Sequence, residues 1–117
     1  MEDSILTSIK KLLGIAEEYE HFDSDVIMHI NSVFMILNQL GVGPEKGFRI
    51  EDDSTTWSEY IDDNDYLDAV KSYIHIKVKL MFDPPQSSAV LDTMNRMAEQ
   101  LEWRLNVEAE QRQSASL

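Results

Sequence analysis

Apolar side chains recur every three or four residues in four segments of the chain, which is the spacing of a helix with one buried face. The third segment also carries apolar residues on its flank, so we expect its helix to lie in the middle of the fold, with Val70, Ile74, Val78 and Met81 buried. The pattern predicts an all-α fold, a small bundle of four main helices. The apolar positions are Ile5, Ile9, Leu12 and Leu13; Val26, Ile27, Ile30, Val33, Phe34, Leu37 and Leu40; Leu67, Val70, Ile74, Val78 and Met81; and Val90 or Leu91, Met94, Met97, Leu101 and Leu105.

Residues that cap or break helices separate these four segments. Side chains of Ser, Asp and Asn accept hydrogen bonds from the free amides of a first helical turn. The predicted caps are Asp3 or Ser4, Asp23 or Ser24, Asn64 or Asp65, and Ser87 or Ser88. Glycine suits the left-handed residue that follows a helix, and proline lacks the amide proton that a helix needs. The predicted stops are Gly14, Gly41 and the sequence Asp83-Pro84-Pro85.

Residues 47–57 interrupt the helical pattern. The segments Phe48-Arg49-Ile50 and Thr55-Thr56-Trp57 have the composition of strands and flank the polar run 51–54. We expect an irregular excursion or a short β-hairpin here, although two isolated strands would be only marginally stable. Thr56 can cap one further turn of helix, which would extend to Ile61.

The length of 117 residues fits one domain with one hydrophobic core. We expect residues 1–107 to form a single helical domain, and residues 108–117 to form a polar, flexible C-terminal tail. No apolar run approaches the ~18 residues of a membrane span, and no signal peptide precedes the domain. The sequence therefore predicts a soluble protein that is made in a cytoplasm and has no membrane partner.

The chain carries 22 acidic and 10 basic residues, which gives a formal net charge of −12. Carboxylates repel phosphate groups, so this charge disfavours electrostatic binding to nucleic acid or to anionic lipid. The sequence has no cysteine. Disulfides, zinc–thiolate sites and thiol nucleophiles are therefore excluded.

The sequence contains no recognisable motif for catalysis, nucleotide binding or metal binding. The glycines of segment 41–47 follow a helix and lack the Gly-Lys-Ser/Thr ending of a phosphate loop, so we interpret the segment as a helix stop and turn. The acidic runs 51–53 and 62–65 lack the ligand spacing and the glycine of a calcium loop. The three histidines are not spaced as a helical zinc motif. We predict that the protein is not an enzyme and has no cofactor or metal.

Aromatic and arginine side chains outside the helical stripes are candidates for a protein interface, where these residue types are enriched. Trp103 lies two positions from Leu101, so it faces away from the apolar stripe of the fourth helix. Core packing is the alternative for Trp103 and for Trp57. The candidate interface residues are Phe48, Arg49, Trp57, Trp103, Arg104 and Arg112.

Several local strings add to this order of helices. They are the first helix at 5–15, Asp25-Val26-Ile27-Met28-His29-Ile30-Asn31-Ser32, the excursion 47–57, Phe82-Asp83-Pro84-Pro85 and Leu101-Glu102-Trp103-Arg104-Leu105-Asn106. Together they resemble the small head–tail connector proteins of tailed bacteriophages and prophages, also called adaptor or head-completion proteins. The resemblance covers residues 4–107.

The resemblance implies a helical subunit in the virion neck that assembles with itself into a ring of about a dozen copies. The ring would dock beneath the portal protein, contact a downstream neck or tail-completion protein, and extend the DNA channel without binding DNA specifically. The subunit would be made in the cytoplasm of the bacterial host. The acidic composition leaves an alternative from another class, a small acidic regulator or DNA-mimic inhibitor that binds a basic protein surface.

Overall fold

The computed structural model describes residues 4–62 and 64–115, without the side chains of residues 64, 65 and 113–115. Five helices occur in this part of the chain, and four of them are long. They are α1 (Ile5–Leu13), α2 (Asp23–Gln39), α3 (Trp57–Tyr60), α4 (Asn64–Phe82) and α5 (Ser88–Ala115). The predicted all-α fold with four main helices is confirmed.

Helix α4 is the central element, and α1, α2 and α5 all pack against it. Its buried residues occupy most of its circumference, and they are Leu67, Val70, Tyr73, Ile74, Ile76 and Val78. Met81 is 38% exposed, so its predicted burial is wrong. The adjacent Phe82 instead packs edge-to-face on Phe22, with ring centroids 5.3 Å apart. This contact leaves Met81 on the outside of the last turn.

Both ends of α1 follow the signals in the sequence. The Ser4 hydroxyl accepts a hydrogen bond from the amide of Thr7 at 3.0 Å. Gly14 adopts the left-handed conformation after the helix, with φ of 81°. The amide of Gly14 donates to the carbonyl of Lys11 at 3.1 Å. Capping by Ser4 and termination at Gly14 are therefore confirmed.

The ammonium of Lys10 is buried between α1 and the connector that leads to α2. Lys10 is 2% exposed, and its Nζ donates to the carbonyls of Glu17 at 2.9 Å and Tyr19 at 2.7 Å. It also pairs with the Asp23 carboxylate at 2.8 Å. The predicted side-chain cap of α2 is wrong, because α2 begins at Asp23 without one and the Asp23 carboxylate binds Lys10 instead.

Residues 47–57 do not form the predicted β-hairpin, and the described chain shows one isolated β-bridge and no strand. Asn31 of α2 binds both backbone groups of Ile50: Nδ2 donates to the carbonyl at 2.9 Å, and Oδ1 accepts from the amide at 2.8 Å. The amide of Ile5 donates to the carbonyl of Thr55 at 2.9 Å. The hairpin prediction is wrong because these extended residues find hydrogen-bond partners on α2 and α1 rather than on each other.

The segment 41–47 is a helix stop and turn, as interpreted from the sequence. Gly43 has φ of +86°, and a Cβ built there would lie 2.6 Å from the ring of Tyr60. Glycine is therefore required at this position by both backbone conformation and space. Helix α3 follows as one turn, and its start is stabilised by the amide of Thr56, which donates to the carboxylate of Glu59 at 2.7 Å.

Helix α5 continues to Ala115, across the boundary predicted at residue 107. The face toward the core is formed by Ala98, Leu105 and Ala109, each at most 3% exposed. Met97 of the predicted stripe is 46% exposed, so its assignment to the core is wrong. Of the two predicted first positions of the stripe, Val90 is 48% exposed and Leu91 is half-buried. Because alanine is small, Ala98 and Ala109 let α5 approach the core closely. The contact with the core therefore lies on the side of α5 that carries these two residues. The flexibility of residues 108–117 stays a prediction.

Candidate interaction surfaces

Two of the predicted interface residues lie in or against the core. Trp57 is 1% exposed, and its indole Nε1 donates to the hydroxyl of Ser8 at 3.0 Å. The half-buried ring of Phe48 lies 5.2 Å from the ring of Phe34 and 4.9 Å from that of Tyr60, measured between centroids. Trp57 therefore follows the alternative of core packing, because the excursion folds back onto α1. A contact between Trp57 and a partner stays a prediction. Phe48 contributes mainly to the same core.

Arg112 is engaged by its own chain. Its guanidinium lies 4.2 Å from the centre of the Tyr66 ring, and its Nε donates to the carboxylate of Glu108 at 3.2 Å. The contact with Tyr66 joins the end of α5 to the beginning of α4 and is a cation–π interaction. Arg112 therefore has an intramolecular role, and a contact between it and a partner stays a prediction.

Arg49 lies at the edge of an exposed face of α2, which we call the α2 surface. This surface is lined by Ser24, Ile27, Met28, Asn31, Ser32, Met35 and Arg49. Met28 and Met35 are 57% and 62% exposed, and they lie two helical turns apart on the same face. The surface contains no carboxylate. It combines three apolar and three uncharged polar residues with one cation at its edge.

Trp103 and Arg104 lie on the outward face of α5, which we call the α5 surface. It is lined by Arg96, Glu99, Gln100, Trp103 and Arg104. Trp103 is 69% exposed, so its core alternative is wrong. Within the described residues, neither Arg96 nor Arg104 forms an ion pair. An exposed tryptophan flanked by arginines has the composition found at the centres of protein interfaces.

Exposed carboxylates cluster on two segments outside the helices. They are Glu17, Glu18 and Glu20 on the connector and Glu51, Asp52 and Asp53 on the excursion. The second cluster directly follows Ile50, whose backbone binds Asn31 of the α2 surface. The hydroxyl and the amide of Ser54 donate hydrogen bonds that lower the pKa of Asp52.

Buried polar groups on α4 connect it to its neighbours. The hydroxyl of Tyr73 donates to the carboxylate of Glu102 on α5 at 2.8 Å. Burial, and then this carboxylate, raise the pKa of Tyr73. Burial lowers the pKa of His75 despite a hydrogen bond with the backbone of Leu12. Both side chains are therefore mainly neutral at pH 7 and join α4 to α5 and α1. Among the described residues, no group of three His, Asp or Glu side chains could hold a metal ion.

Of the seven residues that line the α2 surface, the sequence analysis singled out only Arg49 as an interface residue, and the exposed Met28 and Met35 were missed. The available signal was the absence of charge. Residues 26–44 contain no Asp, Glu, Lys or Arg, whereas 27% of the whole chain is charged. The helical spacing explains why the buried face of α2 is apolar. It does not explain why the opposite, exposed face also lacks charged residues, and such a face is typical of an interaction surface.

The chain was compared with protein families, curated proteins and solved structures. The family model described as phage connector protein matches residues 5–112. Curated proteins and solved structures gave no match. In the described ranges, no helix is long and apolar enough to cross a membrane. Because the family model covers nearly the whole chain, the protein belongs to the phage connector family, and its general role is that of a head–tail connector in the virion neck that associates with other phage head or tail proteins.

Proposed function

We propose that the protein is a structural subunit of a ring beneath the portal, which joins the phage head to the tail and extends the DNA channel. The observation that carries this proposal is the presence of two separate surfaces with interface composition, the α2 surface and the α5 surface. A ring subunit needs two different contact faces, one for each neighbour. Helices α2 and α5 both pack on α4 and make little contact with each other, so both faces can be occupied at once.

The acidic character of the chain supports the passage of DNA without specific binding. Each subunit has a formal net charge of −12. Carboxylates repel DNA phosphates within a Debye length of ~8–10 Å. A channel surrounded by about a dozen such subunits would therefore release DNA instead of retaining it.

The two axial partners follow from this position in the neck. We place the portal protein on one side of the ring and a downstream neck or tail-completion protein on the other. The proposed portal contact includes the last turns of α5, from residue 108 onward, since Glu110 and Gln111 there are exposed. The subunit itself is made in the host cytoplasm and adds to the neck after synthesis.

The test is to purify the protein and analyse it alone and with the portal protein of the same phage. We expect light scattering to give the mass of a ring, or of a ring–portal complex, and negative-stain microscopy to show a central channel. A portal protein from an unrelated phage is the control for specificity. A monomer or dimer at every concentration, without portal binding, would contradict the proposal and favour the acidic regulator or DNA-mimic inhibitor.

A further inference from the structure

We infer that Trp103 of one subunit inserts into the α2 surface of the next subunit, between Met28 and Met35. The inference rests on the proposed ring and names the contact that builds it. The occupant of the α2 surface is thus a second copy of this chain, which presents its α5 surface.

Repulsion between copies restricts where they can touch. Two chains that each carry a net charge of −12 repel unless carboxylates are kept apart at the contact. The α2 surface is free of carboxylates, and the α5 surface has two arginines with no ion pair among the described residues. The α5 surface also contains the carboxylate of Glu99, but it would meet no carboxylate on the α2 surface. Two copies can therefore bring these surfaces together without opposing carboxylates.

The side chains of the two surfaces are complementary in kind. Trp103 is 69% exposed and projects from α5, whereas Met28 and Met35 flank the smaller Asn31 and Ser32. Methionine side chains adapt their shape and make favourable sulfur–aromatic contacts. A tryptophan packed between two methionines would exclude water from the centre of the interface, where binding energy concentrates.

The charges around the two surfaces are also complementary. Arg96 and Arg104 flank Trp103 on the α5 surface. The exposed carboxylates of Glu51 and Asp53 follow Ile50, whose backbone binds Asn31 of the α2 surface. With Trp103 docked on α2, the arginines of one copy face these carboxylates of the other. Such pairs at the rim guide association and fix its orientation more than they add affinity.

Two matched substitutions on α5 test the role of Trp103. Trp103→Ala should weaken subunit association at least 30-fold, the effect expected for a central interface residue. Val90→Ala removes an apolar side chain that is also exposed on α5, at 48%, and should assemble like the wild type. Sedimentation velocity measures association, and far-ultraviolet circular dichroism checks that both variants are folded.

A charge exchange tests the orientation of the contact. The double variant Arg96→Glu and Arg104→Glu should prevent assembly, and adding Glu51→Lys and Asp53→Lys to the same chain should restore it. Asp52 is left unchanged because it binds Ser54 within its own turn. Restoration would not occur if the arginines acted only within their own subunit.

Tryptophan fluorescence gives an independent readout. The chain has two tryptophans, and Trp57 is already buried, so a blue shift on assembly would report burial of Trp103. The inference is overturned if the Trp103→Ala variant forms normal rings, or if this variant loses only portal binding. In both cases the proposed ring itself would still stand. If the wild type never assembles, with or without portal, the proposed function fails as well.

Discussion

Replacing Lys10 with methionine should lower the free energy of unfolding by about 2–4 kcal/mol. Methionine keeps the unbranched apolar stem of lysine, so the packing of α1 changes little while the ammonium is lost. The carbonyls of Glu17 and Tyr19 and the carboxylate of Asp23 then lose their shared donor. The connector between α1 and α2 would lose the side-chain contacts that join Glu17, Tyr19 and Asp23 to Lys10 of α1.

The magnitude follows from these three contacts and from their access to water. A hydrogen bond to a charged group contributes ~1.5–3 kcal/mol, so three fully enclosed contacts would exceed the proposed range. The Asp23 side chain is 27% exposed, and most residues of the connector are exposed. Water therefore replaces part of the lost hydrogen bonding. The net decrease in the free energy of unfolding then corresponds to one or two such bonds.

Urea and thermal unfolding, followed by far-ultraviolet circular dichroism, measure the effect. For a domain of this size, about 4 °C of midpoint corresponds to 1 kcal/mol, so the midpoint should fall by about 8–16 °C. The control is Lys46→Met, because Lys46 is exposed on a turn, and a change within ~0.5 kcal/mol is expected there. If Lys10→Met is no less stable than this control, the buried ammonium does not hold the connector.

Three further predictions concern stability. Tyr60→Phe removes a buried hydroxyl that has no hydrogen-bond partner in the described chain, so the variant should gain up to about 1 kcal/mol in urea unfolding; a loss would mean that the hydroxyl is satisfied. Burial lowers the pKa of His75, so the unfolded chain binds the proton more readily and stability should fall as the pH drops below about 6.5. His75→Gln should lose less stability than the wild type between pH 7 and 5.5, and equal losses would contradict this reasoning. Truncation after Asn106 removes the buried Ala109 and the contact of Arg112 with Tyr66, so it should cost about 1–2 kcal/mol; an unchanged thermal midpoint would show that the core does not need the last turns.

The helices were predictable from sequence because their signals are local. Ser4 and Gly14 define the ends of α1 within a few residues of the helix itself, and the apolar spacing of α4 identifies a central helix. The excursion was not predictable in the same way. Its backbone is satisfied by the side chain of Asn31, 19 residues away from Ile50, and no local pattern reports such a pairing.

The interaction surfaces, too, could be predicted from the sequence only in part. Trp57 and Trp103 both have polar sequence neighbours, and only the tertiary fold separates them, with 1% and 69% exposure. For Trp103, the useful local signal was its position on the side of the helix that faces away from the apolar stripe. The exposed methionines of α2 were missed because an apolar residue on a helix is first assigned to the core, and Met28 and Met35 lie on the side opposite to it.

Helix α1 cannot complete its packing when it first leaves the ribosome. Its Ser8 hydroxyl binds the indole of Trp57, 49 residues downstream, and nascent chains grow by ~5–20 residues per second. The segment therefore waits ~2–10 s for this partner. A helix of nine residues is too short to be stable alone, so α1 depends on tertiary partners that are made after it. Chains whose synthesis stops before the excursion lack the Trp57 partner of Ser8, so α1 remains incompletely packed in them.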